Sequence, residues 1–459
     1  MWGLGLMDEA RIKPKTDPAE WHYEDDKEDY NAQQFMGATG INHRIFISNR
    51  SQLKTTLATT VSGIDWKIKS LNNQSDLIPK SVVNNTNWNF VFQSALTTKI
   101  SAKHTNRTGF SATGLQYNTF LKDAGTTGSS PVTINNESGF STLLSAYTAS
   151  TFNLSNKLSV NLGINSQLFT LNNNSTLEPR LGLTWQWKEN QRFGFGYGLH
   201  SRLERINYFF TQSATTNERL NKDMDFTKSH RFIFSYSNKL SNNLILKVEP
   251  YFQYLFNVPV IANSSFSFIN LQDDWFIKNK FENTGKGRNY GIDLSLEKYL
   301  TDGYYYMLTS SFFNSEYTGG DQIWRNIRYN RNYLFNLLGG KEWSLGNNRQ
   351  NILGLNVRFT YQGRGRYNSY NTAESIPVKD VVFDETRAFS KQIDPSFIAH
   401  FTASYKVNKN KLSHEFALKV LNATSYGDLR GLKYNFTDKT VNEYREKIMI
   451  PNLSYKIKF

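Results

Sequence analysis

Three groups of side chains have the types and spacing to do chemistry. The acidic run "DPAEWHYEDDKEDY" gathers Asp17, Glu20, Glu24, Asp25, Asp26, Glu28 and Asp29 within residues 17 to 30. Clustered carboxylate oxygens suit a hard cation such as calcium, but the spacing is not that of an EF-hand, so a solvated acidic loop is the better reading. The second group is cationic: Arg325, Arg328 and Arg331 in "WRNIRYNR", and Arg364 and Arg366 in "GRGRY". A guanidinium grips carboxylate or phosphate bidentately. Arg325, Arg328, Arg364 and Arg366 are therefore candidates for capturing an anionic ligand, against the plainer role of solvated loop charge. The third group is aromatic. Trp21, Tyr208, Phe209, Trp275 and Trp324 sit in polar stretches where a ring stacks on a sugar or a flat ligand; Trp21 joins the arginines as a candidate binding residue.

No catalytic constellation accompanies them. His22, His43, His104, His200, His230, His400 and His414 form neither HExxH nor another ligand spacing, and there is no GxxxxGK[ST]. The glycines of "GFGYG" alternate along a strand and open no helix, so they read as small side chains on one face. The expectation is a protein that is not an enzyme and carries no cofactor or metal site.

The elements that must position these residues follow a period of two. Leu158, Val160, Leu162 and Ile164 alternate with polar or small residues, as do Leu181, Leu183, Trp185 and Trp187. The same holds for Phe193, Phe195, Tyr197 and Leu199, for Tyr290, Ile292, Leu294 and Leu296, and for Leu353, Leu355, Val357, Phe359 and Tyr361. Such alternation places the apolar residues on one face of a strand. About seventeen strands are predicted, with a partial one in "WGLGL".

Their connections are of two kinds. Short polar turns fall at 49–52, 101–104, 156, 189, 238–242, 301–303, 346–349 and 408–410. Between them lie mostly longer polar stretches: 63–85, 121–138, 204–226, 257–286, 317–329 and 364–393. Short turns alternating with long loops are the pattern of an up-and-down barrel in an outer membrane, turns periplasmic and loops outside. Trp185, Trp187, Phe193, Tyr236, Tyr299 and Trp343 cluster by the short turns, where a membrane boundary favours amphipathic rings. The other face carries Gly, Ser, Asn, Thr and charges, which suit a wet lumen better than a dry core.

Composition agrees. Aromatics are 15% of the 459 residues while mean hydropathy is −0.55, and no apolar run reaches the ~18 residues a membrane helix needs. The net charge of +14 is scattered between apolar positions rather than gathered into a basic stripe, which argues against nucleic acid. Cysteine is absent, so no disulfide or thiol chemistry arises. "MWGLGLMDEARIKPK" has no basic n-region and its apolar run is broken by Asp8 and Glu9, so no export signal is expected there.

The chain closes on "PNLSYKIKF", with Leu453, Tyr455, Ile457 and Phe459 on one face and Asn452, Ser454, Lys456 and Lys458 on the other. This ending, with "LEPRLGLTWQW", "GFGYGLHSRLE", "LKVEPYFQYLFNVPV", "NYGIDLSLEKYLTDGYYYMLTSSFF" and "DETRAFSKQ", resembles the C-terminal portion of TonB-dependent outer-membrane receptors of the Bacteroidetes type. The likeness runs from about residue 40 onward. It implies an all-β, antiparallel transmembrane barrel of 22 strands, an N-terminal plug and coupling to an inner-membrane TonB complex. Neither plug nor TonB box is visible, so residues 1–36 read as a partial strand with an acidic extracellular loop and 37–459 as the barrel.

The resemblance further implies import of a small-molecule or glycan nutrient, contact with outer-membrane lipid and lipopolysaccharide, and a periplasmic C-terminus. Leu453, Tyr455, Ile457 and Phe459 would then be the assembly signal read by the barrel-insertion machinery. A plugless, porin-like channel and a structural or adhesive surface barrel are the alternatives.

Overall fold

The computed structural model describes residues 1–125, 128–271 and 274–459. The alternating segments form a single antiparallel up-and-down wall, each strand paired with its chain neighbours as a barrel requires. Its strands are β1 (Trp2–Ile12), β2 (Glu28–Ser48), β3 (Ser51–Leu71), β4 (Leu77–Lys99), β5 (His104–Asp123) and β6 (Val132–Asn153). They continue as β7 (Leu158–Phe169), β8 (Asn174–Lys188), β9 (Gln191–Arg202), β10 (Thr227–Ser241), β11 (Leu244–Val260), β12 (Glu282–Thr301) and β13 (Tyr304–Thr318). A three-residue piece, β14 (Trp324–Asn326), pairs with β13. Then come β15 (Tyr333–Leu345) and β16 (Asn351–Gln362), followed by the small pair β17 (Arg366–Tyr367) and β18 (Lys391–Gln392). The wall resumes with β19 (Ser396–Asn408) and β20 (Ser413–Leu421). A separate hairpin, β21 (Gly427–Asn435) with β22 (Thr440–Lys447), precedes the last strand, β23 (Ile450–Lys458).

Register carries the apolar residues into one continuous band. Leu162 faces Leu181, Leu183 faces Phe195 and Tyr197 faces Phe232. Further round, Phe252 meets Tyr290, Leu308 meets Leu337, Leu337 meets Phe359, and Phe416 meets Tyr455. Most of these side chains stay exposed, which in water would be an aggregation hazard and in lipid is the required surface. The short turns are tight because their residues permit it: Asp302 and Gly303 both have positive φ, 54° and 75°, as a two-residue hairpin turn demands. A Cβ on Gly303 would also lie 2.5 Å from the Glu342 carbonyl oxygen.

At that rim the rings gather as expected. Phe193 lies 5.8 Å from Trp185, 5.9 Å from Trp187 and 5.0 Å from Tyr236, while Lys298 and Lys341 stand 3.8 and 5.3 Å from the Tyr304 ring. Aromatic bodies with cationic tips are what a lipid boundary retains.

The strand count agrees with the sequence, and the doubtful strand in "WGLGL" is real. Setting aside β14 and the four strands of the two small sheets, the wall has eighteen strands among the described residues, because "WGLGL" belongs to an eleven-residue strand. Asp8 and Glu9 do not end it; they pair with Gln34 and Gln33, and the register runs on to Ile12 opposite Tyr30. The acidic loop accordingly stops at Lys27, and residues 28–36 already belong to β2. The stretch 63–85 is likewise mostly strand, with only 72–76 as a turn.

One physical reason covers these differences. About 9–11 residues cross the membrane, whereas β2, β3 and β4 have 21, 21 and 23. Polarity marks where lipid ends; backbone pairing carries the strand on. The long connections 121–138 and 257–286 also shorten, their strands reaching Asp123, Val132, Val260 and Glu282; positions 126–127 and 272–273 within them lie outside the described residues.

Candidate ligand-binding site in the lumen

Two long connections turn back onto the polar side of the wall. Residues 203–226 bring Tyr208, Phe209, Met224 and Phe226, and residues 261–281 bring Phe268, Ile277 and Phe281, into one buried apolar cluster with Phe169 and Val258. Leu115 and Leu143, inward residues of β5 and β6, pack against it. Phe169 and Phe209 meet edge to face at 5.4 Å, and Phe268 and Phe281 at 4.7 Å. The cluster fixes a roof over part of the lumen, since burying such side chains stabilises by about 1.5–3 kcal/mol each. Tyr208 and Phe209, expected to offer ring faces to a ligand, are instead packing residues at 4% and 0% exposure.

Beneath the start of this roof lies a cavity of about 870 Å³, within the range of small-ligand sites. Its floor is the inner face of β2 to β5, where register aligns Gln34, Ile64 and Asn85 and, one step on, Met36, Ser62 and Asn87. Trp66 packs edge-on against Tyr30 at 5.6 Å and against Phe276 at 5.8 Å. Asn89 donates to the Thr60 hydroxyl at 3.1 Å. Trp66 Nε1, Asn85 Oδ1 and Asn87 Oδ1 are buried without a hydrogen-bond partner. A second cavity of about 770 Å³ opens on the other side of Leu203–Arg205, bounded by Arg202, Tyr208, Phe268 and Tyr329.

Sequence reasoning missed the first cavity's residues. The signal was present: Asn85, Asn87 and Asn89 recur at a spacing of two in "NNTNWN", but the expectation of a loop over 63–85 hid the strand that makes the spacing matter.

The arginine candidates divide. Arg325 is bound at both ends by Asp321, at 2.9 and 2.7 Å, and its side chain is only 7% exposed. It braces a loop. Arg328 and Arg366 come together: the Arg366 amide donates to the Arg328 carbonyl at 3.2 Å and its Nε to the Asn330 carbonyl at 3.1 Å. Burial pushes both guanidiniums below their ordinary value. Arg364 is exposed beside them on the same segment. Trp21 donates its indole N–H to the Lys15 carbonyl at 2.7 Å and sits with Lys27 at 5.8 Å from its ring, packed within its own loop.

That loop answers its own charges. Asp26 pairs with Lys15 at 2.7 Å, Glu24 with Lys27, Glu28 with Lys80 at 2.7 Å, and Asp29 with Lys13 at 3.3 Å. Among the described residues no group of acidic or histidine side chains is arranged to hold a metal ion. At the chain's end, the Tyr455 ring lies tilted against Phe416 at 5.0 Å and its hydroxyl shares a 2.7 Å hydrogen bond with His414, while Phe459 is 94% exposed.

The wall has the fold of outer-membrane import receptors. The ferric-catecholate import receptor Fiu of E. coli aligns with a TM-score of 0.65 at 13% identity over 94% of this chain and 65% of its own. The ferripyoverdine receptor of the outer membrane of Pseudomonas aeruginosa gives 0.66 at 12%, over 93% and 56%. The siderophore receptor PiuA from Acinetobacter baumannii gives 0.62 at 14%, over 98% and 68%. The chain thus spans roughly 56 to 68% of these receptors' lengths. No family model matches the sequence, and no curated protein matches it.

Proposed function

We propose that this chain is the barrel wall of a TonB-dependent outer-membrane receptor that imports a scarce nutrient. The observation that carries the reading is the inward-folded roof, whose Tyr208, Phe209, Met224, Phe226, Phe268, Ile277 and Phe281 are buried against the inner face above a ligand-sized cavity. An open diffusion pore has no use for a lumen narrowed by an apolar core. The receptor fold shared with siderophore importers supports the same conclusion.

In this reading the cavity captures the nutrient, a plug supplies the moving gate, and an inner-membrane TonB complex provides the energy. The wall's edges allow it. β1 and β23 run in opposite directions at the two ends of an eighteen-strand order, so an even number of further strands fits between them without breaking the antiparallel pattern. Outer-membrane lipid, lipopolysaccharide and the barrel-assembly machinery are its other partners, the last through Leu453, Tyr455, Ile457 and Phe459.

Planar-bilayer recording on the polypeptide isolated from its native outer membrane separates this from the passive channel. The receptor gives no steady conductance, whereas a persistent open pore would transfer support to the porin-like alternative. Uptake of solute by proteoliposomes counts against a purely adhesive barrel.

A further inference from the structure

We propose that the short-turn rim of the wall is a binding ring for anionic phospholipid, its Lys and Arg side chains holding the phosphate headgroups of the periplasmic leaflet. The inference rests on the receptor reading, in which the short turns lie beneath the membrane, and adds a partner to it.

The net charge is scattered along the sequence but gathered by the fold. The eight short turns, each taken with five residues of strand on either side, hold 17 of the 53 Lys and Arg and only 5 of the 39 Asp and Glu. They thus carry +12 of the chain's +14 in 105 of its 459 residues. Among the described residues none of these seventeen cations forms an ion pair with a carboxylate. At the long-loop rim cations are matched instead: Lys15 with Asp26, Lys80 with Glu28, Arg219 with Glu137 and Lys433 with Asp25. Unmatched like charges along one rim repel one another, and a layer of headgroup phosphate relieves that repulsion.

The arrangement names the occupant. Seven of the eight turns keep a cation in the turn itself or against a lipid-facing ring, from Arg50 at the first to Lys409 and Lys411 at the last. A protein partner docks on one sector of a rim, whereas charge carried round the perimeter fits the headgroup layer that surrounds it. Depth agrees. Lys188 lies 4.7 Å from the Trp187 ring, and Lys298 and Lys341 lie 3.8 and 5.3 Å from that of Tyr304. Their ammonium groups stand at the level of the boundary aromatics, where a flexible stem reaches a phosphate. Alternation turns Arg107, Arg192 and Lys247 toward the lumen, so these three are no part of the ring. Lipopolysaccharide, the other phosphate-bearing lipid, meets the opposite rim in this orientation.

The test reconstitutes the full-length native protein in phosphatidylcholine vesicles and reads, by electron spin resonance, the motionally restricted fraction of trace spin-labelled phosphatidylglycerol and phosphatidylcholine. Phosphatidylglycerol associates about threefold more strongly at low salt, and the excess disappears near 1 M NaCl, where the screening length falls to ~3 Å. The triple variant Lys188→Gln/Lys298→Gln/Lys341→Gln loses at least half of the excess. Lys67→Gln/Lys69→Gln/Lys286→Gln, on the long-loop side, keeps it, and a heat-modifiable folded band certifies both variants. Equal restriction of the two lipids, an excess that survives the turn variant, or displacement of the labelled phosphatidylglycerol by lipopolysaccharide but not by unlabelled phosphatidylglycerol overturns the ring. Those outcomes leave the receptor reading standing while lipid of either kind is restricted; a protein that restricts no lipid would remove both.

Discussion

Lys433 Nζ lies 2.6 Å from Asp25 Oδ2, an ion pair between residues 408 apart in the sequence. Around it the Phe436 amide donates to the His22 carbonyl at 2.8 Å, His22 Nδ1 shares a 2.9 Å hydrogen bond with Thr437, and Lys27 stands 4.8 Å from the Phe436 ring. The connection after β1 and the hairpin before β23 are thereby clasped at the long-loop rim, tying together the two ends of the strand order.

The clasp predicts a cross-link. In this cysteine-free chain, the Asp25→Cys/Lys433→Cys double variant is joined by a short bismaleimide in intact cells, read as a shift in denaturing gel mobility. Either single variant gives no shift. Loss of the ion pair alone, in Lys433→Ala, costs at most about 1 kcal/mol, because both partners are partly exposed.

The same loop carries a pH dependence. Burial pushes the Asp26 carboxyl up, but hydrogen bonds from Lys15 and from the Tyr23 and His22 amides outweigh it and hold the carboxyl below its ordinary value of 3.8. A depressed carboxylate contributes its stabilisation fully above the unfolded value and loses it as pH falls through the folded one. Hydrogen exchange therefore finds the His22 and Tyr23 amides protected at pH 6 and deprotected well below pH 3.8, and in Asp26→Ala, which removes the acceptor, deprotected at both.

Opposite faces of one strand should differ. Leu355 is 45% exposed in the apolar band, whereas its neighbour Asn356 faces the lumen and accepts from the Tyr305 hydroxyl at 2.5 Å. Leu355→Arg costs ~2–4 kcal/mol of folding stability in lipid. Asn356→Ala forfeits one hydrogen bond, about 1 kcal/mol. Denaturant titration in liposomes measures both, and equal costs would mean the face assignment is reversed.

Tyr455 and Phe459 separate assembly from stability. Tyr455 packs on Phe416 and bonds to His414, so Tyr455→Ala lowers both insertion yield and the stability of inserted protein. Phe459 is almost fully exposed. Phe459→Ala lowers insertion yield in vivo and leaves the denaturation midpoint of the inserted barrel unchanged, as an address read by machinery should.

The wall was legible wherever lipid imposes a period of two: the faces of β7 to β9, β12 and β16 follow from alternation, and the eight short turns of one rim from their polar residues, whereas the turns at 72–76 and 170–173 on the other rim do not. Strand ends were not. Above the membrane nothing selects for apolar residues, so Lys67, Asn84 and Asn85 look like loop while the backbone ladder continues through them. The site shared that fate. Asn85 and Asn87 lie where the lipid signal stops, and Arg325 looked free because its partner Asp321, four residues away, is brought to it only by the folded loop. Trp21 and Phe209 were recognisable as aromatic; whether a ring faces a ligand or a core depends on long-range packing that spacing does not encode.

The central claim is a membrane-embedded wall with long loops outside and short turns beneath. Its most direct test is labelling of single-cysteine variants Asp25→Cys and Asp302→Cys on intact cells with a membrane-impermeant maleimide. The account predicts that position 25 labels at once and position 302 only after the outer membrane is permeabilised. Equal labelling of both, or labelling at 302 alone, would contradict it.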